Sequence, residues 1–149
     1  MLKRSLIVAL CLICALLTVF AAAEGALEDG VYTVDFVTDS SMFHINEALN
    51  GKARLTVENG EMTVHIPLAS KSILNLSPGT AEEAQAEGAV LLQPTEDEVA
   101  WSDGTTETVY GFDVPVEAVN TDFQLALIGK KGKWYDHIVS VRDPEPENG

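Results

Sequence analysis

The sequence predicts an all-β fold, a sandwich or barrel of short antiparallel strands, and three observations carry that expectation. From Gly30 onward apolar and polar residues alternate in short runs. Turn residues such as Asn59-Gly60 and Asp103-Gly104 punctuate those runs. No long helical period interrupts them.

Taken in order, Val31 to Val37 reads as a first strand, with Tyr32, Val34 and Phe36 on the expected core face. Thr38 to Gly51 breaks the alternation and reads as a loop with one helical turn. Lys52–Glu58 and Glu61–Ile66 form a hairpin around Asn59-Gly60, a dipeptide suited to a two-residue turn. Its apolar face is Ala53, Leu55, Val57, Met62, Val64 and Ile66. Ser72 to Leu76 is a fourth strand, ended by Ser77-Pro78-Gly79. Thr80, with Glu83 three residues on, caps one short helix expected to run to Glu87. Ala89 to Gln93 is expected as a buried strand, and Val99 to Phe112 as a hairpin around Asp103-Gly104. Pro115, between Val114 and Val116, calls for an edge position because proline cannot donate to a ladder. A last hairpin joins Phe123–Ile128 to Lys133–Val141 through Gly129–Gly132.

The 149 residues include 9 Lys+Arg against 23 Asp+Glu, for a net charge of -14 and a pI of about 4.3. A basic groove for nucleic acid is thereby excluded. Residues 1–23 have the parts of a secretory signal: Lys3 and Arg4, an apolar core from Leu6 to Phe20, then Ala21-Ala22-Ala23 before Glu24. Cleavage is expected near Ala23, although the apolar run is also nearly long enough to serve as a membrane anchor. The expected product is secreted or displayed at the extracellular surface. It consists of one domain over 24–142 and a disordered acidic tail over 143–149, which holds no apolar residue. Cys11 and Cys14 fall inside the leader, so the exported domain has no thiol or disulfide. Leu10 and Ile13 precede them where lipid attachment needs a small residue.

Signatures of catalysis are missing. No Gly-x-Ser-x-Gly, His-Glu-x-x-His or phosphate loop occurs, so the chain is read as a non-enzyme. Three histidines, His44, His65 and His137, without a cysteine do not suit a structural zinc site. The acids are scattered rather than spaced as calcium ligands.

Several segments together resemble the near-iron-transporter (NEAT) domain of Gram-positive surface proteins. They are Asp29-Gly-Val-Tyr-Thr-Val-Asp35, Ser40-Ser41-Met42-Phe43, Ala53-Arg-Leu-Thr-Val-Glu-Asn-Gly60 with Met62-Thr-Val, and Trp134-Tyr-Asp-His-Ile-Val-Ser-Val-Arg142. The resemblance spans about residues 29 to 142. It implies an immunoglobulin-like β-sandwich of about eight strands with one short helix, holding haem between a lip after the first strand and the final hairpin. It further implies Tyr135 as the axial ligand to iron, with Ser41 and Met42 in the lip. The family's second tyrosine corresponds to Val139, and residues 77–88 read as an insertion.

Alternation puts Tyr135, His137, Val139 and Val141 on one face. Tyrosine phenolate is a known haem ligand, but Tyr135 also suits a sandwich tyrosine bonding its hydroxyl to backbone. His137 reads either as a ligand-binding residue or as a solvated imidazole near the hairpin mouth. Ser41 is equally a loop serine, and Met42 with Phe43 a plug over the sandwich end. Lys130, Lys131 and Lys133 suit a solvated turn, or contacts to propionates or a cell-wall polymer.

The expected function is a binding module in haem and iron acquisition, with haem or another small ligand as partner and a haemoprotein or membrane transporter component as a protein partner. The alternatives are an interaction domain using Trp134-Tyr135 and the 40s loop for a protein or polymer, or capture of another small nutrient for a transporter.

Overall fold

The Asn59-Gly60 turn sets the first register of the sheet. Both residues adopt positive φ, 53° and 79°, as a two-residue hairpin turn requires, and the Asp29 carboxylate accepts from both of their amides at 2.9 and 3.3 Å. In the computed structural model, which describes residues 26–39 and 49–147, this turn joins β2 (Lys52–Glu58) to β3 (Glu61–Pro67). The leader expected over 1–23 lies outside the described residues.

Before that hairpin runs β1 (Gly30–Thr38); after it come β4 (Ile73–Pro78), α1 (Ala81–Ala84), β5 (Thr95–Ala100), β6 (Thr106–Val116), β7 (Asp122–Gly129), β8 (Trp134–Tyr135) and β9 (Ile138–Pro146). Every pairing is antiparallel. The strands follow the order β4-β7-β9-β1-β2-β3-β6-β5, with β8 added to β7. The sheet curls until β4 meets β6. The result is all-β, an immunoglobulin-like sandwich whose inner faces share one core.

That core holds Tyr32, Val34 and Phe36 from β1, Ala53, Leu55 and Val57 from β2, Val64 and Ile66 from β3, and Phe112, Val114, Leu125, Val139 and Val141 from the later strands. Alternation therefore placed the inward faces of the first three strands correctly, and Met62 packs on the core from its margin. Tyr32 anchors the start of the sandwich: its ring is buried and its hydroxyl donates to the Glu28 carbonyl at 2.7 Å. Pro115 lies opposite Thr63 of β3, beyond the part of β6 that pairs with β5, so its missing N–H faces no ladder.

Three expectations need correction. Residues 89–93 are not a buried strand. Val90 and Leu91 are 63% and 43% exposed, and only Leu92 bridges to Leu76. Side chains hold the segment instead, Ser77 Oγ donating to the Val90 carbonyl and Asn75 Nδ2 to that of Leu92. A short apolar run has no period that distinguishes strand from strap.

The helix is shorter than expected, ending at Ala84, although its capping box is complete: the Glu83 amide donates to Thr80 Oγ1, and the Thr80 amide to the Glu83 carboxylate.

The acidic tail is ordered as strand to Pro146. Backbone pairing with β1, Thr33 opposite Glu145 and Tyr32 opposite Pro146, needs no apolar side chains. A bulge between Arg142 and Glu145 absorbs Asp143, at φ 52°. Beyond Ser140 only β1 pairs with β9, so Pro144 and Pro146 can sit on an open side.

Candidate functional site

Strand β7 turns back through Gly129–Gly132, where Gly132 has φ 75° and its amide donates to the Gly129 carbonyl at 3.0 Å. The returning chain keeps one register along β7, from Ile128 opposite Trp134 to Asp122 opposite Ser140. Asp136 and His137 separate the two paired stretches, and the Leu125 amide still donates to the His137 carbonyl at 3.0 Å. The expected single closing strand is therefore two strands in one register.

Tyr135 lies opposite Leu127 near the hairpin tip and is 40% exposed. Its ring meets the Lys133 ammonium, 5.3 Å from the centroid. The role of a buried tyrosine bonded to backbone belongs to Tyr32 instead. Val139 is 1% exposed, opposite Phe123 and Thr38. The place that the resemblance gives to a second tyrosine is filled core.

His137 is not a solvated imidazole. Its side chain is 12% exposed, and Nδ1 lies 3.0 Å from Asp39 Oδ1. The other oxygen of Asp39 accepts from the Ile138 amide at 2.9 Å, while the Asp39 amide donates to the Ile138 carbonyl at 3.1 Å. The Ile138 amide, followed by His137, holds the Asp39 carboxyl below its ordinary pKa. Asp39 thus clamps the end of β1 to the start of β9. Ser41 and Met42 lie outside the described residues, in the segment that leaves from this clamp.

A second contact fixes the hairpin from the side. Asp136 Oδ1 accepts from the Ala81 amide at 2.6 Å, where a carboxylate suits a free helical N–H. Asp39 and Asp136 were missed by the sequence reading because their partners are 98 and 55 residues away in the chain. The only local signal was an acid at the end of the first strand.

Among solved structures, the chain is similar to a mutant of the IsdX2-NEAT5 domain in complex with heme. The match has a TM-score of 0.51 and 15% identity, and covers 83% of this chain and all of that one. The fold is NEAT-like. No protein-family model matches the chain, and no curated protein matches it. Within this NEAT-like frame Tyr135 ends β8 and is 40% exposed, while His137, in the break before β9, is engaged by Asp39. Among the described residues no group of three or more His, Cys, Asp or Glu is arranged to hold a metal ion.

Proposed function

We propose that this chain is an exported, non-enzymatic binding module for haem, working in iron acquisition at or beyond the cell surface. Tyr135 is the residue we assign to the iron, with Ser41 and Met42 as lip contacts to the macrocycle. One observation supports the reading: on a NEAT-like sandwich, Tyr135 is exposed at the final hairpin, near the Asp39–Ile138 clamp at the end of β1. A hard phenolate oxygen suits ferric iron. His137, held by Asp39 at 3.0 Å, is the further ligand-binding residue of this reading.

An optical titration of the 24–149 fragment with ferric haem tests the assignment. A saturable one-to-one Soret shift that Tyr135→Phe loses supports it. Absence of a shift moves the reading to an interaction domain, for which a specific observation also speaks. Val37 and Ile138, diagonal neighbours across the β1–β9 ladder, are 47% and 40% exposed near Tyr135's hairpin. An exposed apolar cluster of that kind suits a protein surface.

A further inference from the structure

His65 sits on the outer face, with the grooves on either side of it opening to solvent. Across the ladder from it on β6, Asp113 places Oδ1 2.8 Å from Nδ1. From the next strand, β5, Asp97 places Oδ2 2.7 Å from Nε2. Asp97 must cross β6 to do so, and it crosses at Gly111, where an added Cβ would overlap its carboxylate. The Thr95 hydroxyl donates to the other oxygen of Asp97 at 3.1 Å and aims the group. A side-chain bridge over three strands has therefore been given a backbone gap to pass through.

Carboxylates only accept hydrogen bonds, so both contacts are satisfied only when the imidazole carries both protons. We propose that His65, Asp97 and Asp113 form a proton-operated latch that holds edge strand β5 to the sheet and slackens when the imidazole loses a proton. Neutral imidazole would turn a lone pair toward one of the two carboxylates. Asp113 is fixed by the β3–β6 ladder, whereas Asp97 lies on the outermost strand, which buries only Val99. Where the Asp97 contact is the one released, β5 loses its side-chain tie across β6.

The remaining charges around His65 are accounted for. Arg54, its register partner on β2, ion-pairs with Glu147 at 3.2 Å, and Lys52 pairs with Asp35 at 2.5 Å. Glu96 and Glu98 line the groove on the β5 side. Burial disfavours the imidazolium, but hydrogen bonds to Asp113 and Asp97 and their charges outweigh it, so the pKa of His65 is raised above its ordinary value. A raised pKa means the stabilisation is complete below about pH 6.5, the unfolded value, and is lost as pH rises through the folded one. The groove beside the latch, about 490 Å³, is walled by Leu49, Pro67 and β5.

Hydrogen exchange and histidine ring NMR on the protein test this without haem. Protection of β5 amides, corrected for intrinsic exchange, should fall severalfold from pH 6 to pH 9, while edge strand β4 holds constant. The His65 ring should keep both protons to a higher pH than an ordinary imidazole does. Asp97→Asn should make β5 protection independent of pH. If that variant does not fold, the wild-type ring decides: titration at the ordinary value, or β5 protection that follows β4, overturns the latch.

Discussion

Two histidine–aspartate contacts lie in different parts of this sandwich and work by different means. At the closing hairpin, Asp39 divides its oxygens between a backbone amide and His137, so the backbone bond survives whatever charge the imidazole carries. On the outer face, His65 spends both nitrogens on side-chain carboxylates and depends wholly on its proton. The first arrangement ties two strand ends together for as long as the Asp39 carboxylate keeps its charge. The second ties three strands together conditionally.

The largest change expected from breaking the hairpin side is at Val139. Val139→Tyr supplies the second tyrosine that the NEAT resemblance implies, yet the ring must enter a filled core behind the clamp. Overpacking of this kind costs roughly 1–3 kcal/mol, to be read from the urea midpoint, with no gain in haem affinity.

A smaller effect sharpens the contrast in pH. Asp39→Ala removes the acceptor of the Ile138 amide and the carboxylate beside His137, at about 1 kcal/mol near neutrality, since solvent partly replaces it. The lowered pKa of Asp39 makes its contribution complete above about pH 4 and lost as pH falls through the folded value. Denaturation curves of variant and wild type should therefore converge in acid. The latch at His65 instead weakens in alkali, so the two regions fail at opposite ends of the pH scale. Least of all is expected from Lys133→Ala, which removes an exposed cation from the Tyr135 ring at about 0.5 kcal/mol, measured by the same denaturation.

What could be read in the sequence follows from how local each signal is. Asn59-Gly60 declares its hairpin because the turn conformation belongs to those two residues, and alternation in β1, β2 and β3 declares their core faces. Thr80 and Glu83 declare the helix start, but nothing local shows that it stops after one turn. The strand over 143–146 was hidden because its partner, β1, lies more than a hundred residues earlier and asks only for backbone groups. Asp97 and Asp113 stand 32 and 48 residues from His65, and the bridge exists only because Gly111 is bare. At the candidate site, Tyr135 was visible through its place in a motif, whereas the Asp39 clamp depended on how the first strand meets the last.

That meeting has a consequence for how the chain reaches its fold. Strand β1 sits in the middle of the sheet, flanked by β2, which follows it closely, and by β9, which arrives last. Until the final strand is made, the central strand has one complete edge and one vacant one, a template open to any extended segment nearby. Closure waits on the longest loop the domain contains, and topologies dominated by such distant pairings form slowly. Thr33 and Asp35, polar residues along that waiting edge, make it a poor template for strangers during the interval.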